Sequence, residues 1–281
     1  MDYKKINFKN IPVQAGIISN IIKLEIDSHN CFQELEDLIS SDQGVASLVL
    51  RVVNSPFYSR GNKVATIPFA ISLLGYTVVR SLALLAFSRS LFSHTKNALF
   101  REHIWQHSLL TAIASQNICH ELGGAKLNDE AFIAGLMHDT GKVLMFSHDP
   151  GLYENVFKLL FESNCSSVLA ENKYFGFDHC AAGLEAVKEW KLPDRFKDYM
   201  GVELSSLRSD QRDDVVLLSL LAANYLIKSA GIGAHAVTDE ATRKAILIGF
   251  GLDEAFCDHL LQTEFVEGLM ENETYKLCAN I

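Results

Sequence analysis

A stripe of positive charge is missing from this chain. Lys and Arg number 25 against 34 Asp and Glu, for a net charge of -9. A general nucleic-acid binder needs a basic face, so that class is excluded, although a local basic patch is not. A disulfide framework is missing as well. The six cysteines stand at 31, 119, 165, 180, 257 and 278, and no two form a C-x-x-C pair. They read as buried, reduced thiols of a cytosolic protein. Long apolar runs are scarce. The longest, Val64–Val79, holds Pro68 and Gly75 and stops at Arg80. It falls short of the roughly 18–20 residues a membrane span requires. The opening "MDYKKINFKN" carries no apolar core of a secretory signal. A cytoplasmic location away from membranes follows by elimination. No repeat of fixed period and no low-complexity segment is visible.

What is present is a globular mixture: 281 residues, 48% apolar and 21% charged. Such a chain buries a core without staples and makes one large domain or two modest ones. The apolar pattern is helical. "CFQELEDLISSDQGVASLVLRVVN" places Phe32, Leu35, Leu38 and Ile39 on one stripe and Val45, Leu48, Val49, Val52 and Val53 on another. Between them, Ser41 or Asp42 is an N-cap. Pro56, Gly61, Asn62 and Pro68 mark a loop or short turn, and Gly75-Tyr76 a break between two helices. "REHIWQHSLLTAIASQNICHELGG" reads as a long amphipathic helix closed by Gly123 and Gly124. Asn128 or Asp129 caps the next. About a dozen helices and no convincing strands give an all-α fold. We expect two lobes: residues 1–97, and residues 98–281 as a bundle that carries the histidines.

Ten histidines are scattered at 29, 94, 103, 107, 120, 138, 148, 179, 235 and 259. The doublet His138-Asp139 stands out. It ends the apolar "AFIAGLM", and a buried carboxylate needs a partner. A cation, a helix N-terminus or Lys142 would serve. His107 lies 31 residues before His138, and His179 lies 40 residues after Asp139. Each interval fits one helix out, a turn and one helix back, so these side chains can meet inside a helical bundle. An imidazole-carboxylate set of this kind suits manganese, iron, magnesium or zinc. A hydrogen-bonded polar knot without metal uses the same residues equally well.

The order "WQHS", "GLMHDTGK", "FGFDHCAAG" resembles the HD superfamily of metal-dependent phosphohydrolases. More narrowly, the chain resembles the HDOD family, an HD-related output domain of bacterial signalling. "LISSDQGVASLVLRVVNSPFY", "IPFAISLLGYTVVRSLAL" and "KEWKLPDRF" carry the narrower likeness, over roughly residues 15–230. The resemblance implies His107, His138 and Asp139 as metal ligands, with His179 the additional histidine of dinuclear relatives. It implies that Lys142 neutralises phosphate. Asn224 sits where the pattern expects a closing aspartate. An amide oxygen can coordinate, but it brings no charge. The paired histidines expected after "LPDRFKDYM" are missing, and there is no Gly-Tyr-Pro signature. Hydrolysis of a cyclic dinucleotide is therefore unsupported.

Two functions compete. The first is a regulatory output module of the HDOD type, non-catalytic, with a degenerate metal site and acting through contacts with signalling proteins or further copies of itself. The second is a phosphohydrolase acting on a nucleotide or other phosphoester, with Lys142 and Arg80 or Arg101 as the phosphate rest. One divalent ion and none are equally compatible with the first. Of the remaining residues, we expect Glu130 to be a first-turn acid, Trp105 and Trp190 to lie in the core or at lobe contacts, and Asn54 and Ser55 to serve turn and capping chemistry. The simplest expectation is a solvent-exposed His103 and a solvated helix-end Lys142.

Overall fold

Short polar side chains start most of the helices. Asp42, Thr66, Asp149, Ser166, Asp178, Asp214, Asp239 and Asp253 each accept a hydrogen bond from a backbone N–H in the first turn that follows. This satisfies donors that have no partner within the helix. The structure is a computed structural model and describes residues 14–24, 30–55, 58, 63–92, 97–200, 213–234, 236–237 and 239–279. The expected turn residues Pro56, Gly61 and Asn62 lie outside the described residues. So do His29, His94, His235 and the stretch 201–212.

Among the described residues there are helices and no strands. α1 (Gln14–Lys23), α2 (Cys31–Ser40), α3 (Gln43–Val53), α4 (Ile67–Leu74) and α5 (Tyr76–Phe92) come first. α6 (Ala98–Phe100) runs through a π-helical turn, Arg101–Gln106, into α7 (His107–Glu121). A 3-10 turn, Ala125–Leu127, leads to α8 (Asn128–Met137), α9 (Thr140–His148) and α10 (Pro150–Ser163). α11 (Ser167–Phe175), α12 (His179–Glu189) and α13 (Phe196–Met200) follow. α14 (Val215–Ser229), α15 (Glu240–Gly249), α16 (Glu254–Leu260), α17 (Thr263–Glu271) and α18 (Glu273–Cys278) complete the order. The protein is all-α, as its periodicity predicts.

α7, α8 and α14 pack against one another at the centre. Gly135 lets α8 come close to α7, since a Cβ there would lie 2.5 Å from the Ala112 Cα. α9 packs on α12 through Gly141, where a Cβ would lie 1.9 Å from the His179 carbonyl oxygen. α1, α3 and α4 flank α5, and α5 reaches α8. Arg80 fastens that junction. Its guanidinium donates to the carbonyls of Ile21 (3.1 Å) and Ile22 (2.7 Å) and to Asp129 Oδ2 (2.9 Å). Ser81 adds a hydroxyl to the same carboxylate. Trp105 is fully buried and donates to the Cys278 carbonyl, while the Trp190 carbonyl accepts from Ser19 Oγ at 2.6 Å. Asn54 ties the end of α3 to Val64 in both directions, as capping chemistry would have it.

Three local expectations need correction. Neither Asn128 nor Asp129 is the cap: α8 begins at Asn128 after Leu127, and Asp129 is turned inward to Arg80 and Ser81. Pro68 does not mark a loop but sits in the first turn of α4, where its missing N–H costs nothing. α7 is not amphipathic. It is buried around most of its circumference because it lies between two other helices.

Candidate metal centre

His138 and Asp139 stand at a corner. α8 stops at Met137, His138 is its C-cap, and Asp139 precedes α9. On a continuous helix adjacent side chains diverge by about 100°. Here the two side chains nevertheless meet, with His138 Nε2 3.4 Å from Asp139 Oδ2. His107 opens α7, and its Nε2 lies 3.3 Å from His138 Nε2 and 3.5 Å from Asp139 Oδ2. All three side chains are buried.

The proton positions follow from the partners. His138 Nδ1 is 2.7 Å from the Gly135 carbonyl oxygen, and His107 Nδ1 is 2.9 Å from that of Ile232. A carbonyl only accepts, so each Nδ1 carries the proton and each neutral ring turns a bare Nε2 lone pair inward. Burial keeps both rings neutral. It lowers the His138 pKa to about 4, against the pull of Asp139, and holds His107 well below the usual range. Two imidazole lone pairs and a carboxylate oxygen thus face one another with no proton between the rings. That arrangement asks for a cation. Ligands at about 2.0–2.2 Å from a tetrahedral ion stand roughly 3.3–3.6 Å apart, a range that includes the spacing found. His107, His138 and Asp139 fit a divalent ion on this ground. When bound, such an ion lowers the pKa of a coordinated water and polarises a phosphoryl oxygen.

The other expected residues sit differently. Lys142 is buried, contrary to the solvated position expected, and its Nζ lies 2.8 Å from Asp139 Oδ2. One turn of α9 is enough to bring the two together, so the protein already holds a cation at this carboxylate. Burial opposes ionisation of Asp139, but the Lys142 ammonium and the His179 imidazolium beside it hold its carboxyl well below the usual range. His179 Nε2 is 3.7 Å from Asp139 Oδ1. Its Nδ1 is 2.6 Å from Glu171 Oε2, which also accepts the His179 backbone N–H at 2.8 Å. Burial by itself would lower the His179 pKa, but the Glu171 carboxylate pushes it up to about 10. Tyr153 donates to the other Glu171 oxygen at 2.7 Å.

Asn224 is buried on α14, and its Oδ1 has no hydrogen-bond partner among the described residues. It lies one turn before Lys228, whose charge acts on both His107 and His138. Arg80 is committed to the α1–α5–α8 junction. Glu130 is a first-turn acid, as expected, paired with Arg195 and Tyr199. His103 is buried rather than exposed and packs against Phe161 at a tilt, with ring centroids 4.4 Å apart. Sequence reasoning missed Glu171, Tyr153 and the Ile232–Gly233 peptide. Glu171 resembles any acid on a helix, and only its place eight residues before His179, across one turn, hints at a partner.

Helices around a buried His-His-Asp cluster define the class: an all-α protein whose His107, His138 and Asp139 bring together donors that fit a divalent ion. The chain belongs to the HDOD family. The sequence profile described as HDOD domain matches residues 11–203. The profile match ends before α14, so Asn224 lies beyond the matched part. Among solved structures, an HDOD domain protein of unknown function from Geobacter sulfurreducens is 22% identical with a TM-score of 0.74, over 93% of this chain and 92% of that one. A candidate phosphohydrolase from Shewanella amazonensis SB2B is 19% identical with a TM-score of 0.69, covering 98% and 97%. A candidate signal transduction protein from Marinobacter aquaeolei VT8 is 18% identical with a TM-score of 0.68, covering 94% of this chain and 57% of its own. At these identities the likeness is one of fold. An uncharacterized protein of Treponema pallidum (strain Nichols) is 21% identical over 179 residues, and the chain spans about a third of that relative's length (34%).

Proposed function

We propose that this protein is a bacterial, cytoplasmic output module of the HDOD type. It acts through contacts with signalling proteins, and its HD centre is degenerate and non-catalytic. The observation that supports this reading is the closed charge set around Asp139. Two buried carboxylates, Asp139 and Glu171, face two cationic partners, Lys142 and His179, at hydrogen-bonding or near ion-pair distance. An incoming divalent ion competes with Lys142 for Asp139, and the expected fourth ligand, Asn224, adds no charge. Affinity falls with each of these terms. The centre holds at most one ion of the manganese, iron, magnesium or zinc class, and holds it weakly. A phosphoester would also have to reach donors that are at most 5% exposed. The relative described as a candidate signal transduction protein supports the same reading.

The second reading, a metal-dependent phosphohydrolase, draws on the inward lone pairs of His107 and His138 and on the relative described as a candidate phosphohydrolase. In it Lys142 leaves Asp139 to meet phosphate. One experiment separates the two. Protein purified without chelator is assayed for bound metal by elemental analysis, then for turnover of a phosphoester panel in manganese. We expect substoichiometric metal and no turnover. Turnover abolished by His138→Ala would establish the enzyme.

A further inference from the structure

The peptide unit between Ile232 and Gly233 is held on both sides by imidazoles. Its carbonyl oxygen is 2.9 Å from His107 Nδ1, and its N–H lies 3.1 Å from His103 Nδ1. The two rings stand four residues apart along the same helical path. A carbonyl accepts and an amide N–H donates, so the rings must be opposite tautomers. His107 is protonated on Nδ1. His103 is bare on Nδ1 and, when neutral, protonated on Nε2.

The loop is shaped for this grip. Gly231 and Gly233 take φ of +94° and +95°, and a Cβ on Gly233 would lie 2.7 Å from His107 Nδ1. Ile232 N–H turns back to the Ile227 carbonyl at 3.2 Å, which fastens the loop to the end of α14. His103 in turn is wedged against Phe161 and Phe157, with centroids at 4.4 and 6.4 Å. Each member is fixed from outside the clamp.

We propose that His103 is a positioning residue for the centre. Through the Ile232–Gly233 peptide it holds the carbonyl against His107 Nδ1–H, and so aims the His107 Nε2 lone pair at His138 and Asp139. This rests on the reading that the cluster can take a divalent ion. Outer hydrogen bonds of this kind set the tautomer and basicity of metal-ligating histidines. Here the control is exercised one peptide further out.

The test uses the full chain and zinc alone as probe. His103→Phe keeps a ring for stacking but removes the acceptor. His103→Asn restores an acceptor near the Nδ1 position. Long-range proton–nitrogen NMR of the imidazoles in chelator-treated protein reads the tautomers. Competition with a chromophoric chelator reads zinc affinity. We expect the parent protein to show His107 protonated on Nδ1 and His103 on Nε2. In His103→Phe, His107 becomes a mixture of tautomers and zinc affinity falls by about 10-fold or more, with His103→Asn recovering most of it. A single unchanged His107 tautomer and unchanged affinity in His103→Phe overturn the proposal. So does a parent spectrum with His103 protonated on Nδ1, a measurement that stands even if the variant does not fold. If the parent takes up no zinc, the ion-site reading fails by itself, and the tautomers still decide the role of His103.

Discussion

Lys142 is the side chain on which the chemistry of the centre turns. Its Nζ sits 2.8 Å from Asp139 Oδ2, with both groups buried. Replacing it by Met takes from a buried carboxylate the nearer of its two cations, and breaking such a pair costs about 3–5 kcal/mol. We expect Lys142→Met to be destabilised by that order in chelator, read by urea unfolding. We also expect it to bind zinc at least about 10-fold more tightly than the parent, since the ion no longer competes with an ammonium. Equal zinc affinity in the two proteins would show that Lys142 does not occupy the ion's place.

The histidines give the metal-free protein two opposed pH limits. His107 and His138 have native pKa values below the unfolded value of about 6.5, so the unfolded chain takes up protons first on acidification. Their contribution is present above that value and is lost as pH falls toward the His138 pKa of about 4. His179 is shifted the other way, to about 10. Its contribution is full below the unfolded value and is lost as pH rises through the native one. Urea midpoints measured in chelator across this range should peak near neutrality. His179→Gln should remove the alkaline decline while keeping the acid one, and a decline left intact would assign it elsewhere.

At the scale of elements, glycines mark where helices touch or turn, and their substitution should separate by mechanism. Gly141→Ala drives a methyl into the His179 carbonyl and forces α9 off α12. We expect a loss of about 3 kcal/mol or more, at the upper end of overpacking costs. Gly75→Ala meets no atom within 4 Å, but its φ is +87° with an extended ψ of 159°, a region essentially confined to glycine, so backbone strain alone should cost about 1–3 kcal/mol. Gly249→Ala, in open space at the end of α15, should be neutral or gain up to about 0.5 kcal/mol. Thermal unfolding of the three variants checks the order. Helix existence, the Asp42 cap and the Gly75 break were legible in the sequence, because period and capping are local properties. The burial of α7 around its circumference was not. An apolar run of that length reads the same whether one helix or two cover it.

The scale of the whole molecule is set by Arg80. It draws the C-terminal carbonyls of α1 and the Asp129 carboxylate of α8 onto α5, with the ion pair only 17% and 11% exposed. Burial tends to raise the Asp129 pKa, and Arg80 and Ser81 oppose it. Arg80→Met should cost about 1–3 kcal/mol, below the fully buried case because some solvent reaches the pair. Hydrogen exchange should speed up in α1 first and leave α7 unchanged. Equal acceleration throughout would mean the junction is not a local fastening. We propose a division of the chain near residue 97, and Arg80 would then lie across it. Limited proteolysis of Arg80→Met, with cleavage that separates the two proposed lobes, would support that division.

The helical class and the identity of His107, His138, Asp139 and His179 as the residues to watch were determined by the sequence alone. Periodicity and the order of the motifs are written along the chain. The tertiary structure decided how those residues are used. It placed a corner between His138 and Asp139, drew His179 toward Glu171, buried Lys142 against Asp139 and set a backbone peptide between His103 and His107. Proton positions and charge balance depend on atoms that meet across tens of residues, and a buried group takes its character from its neighbours in space rather than in sequence.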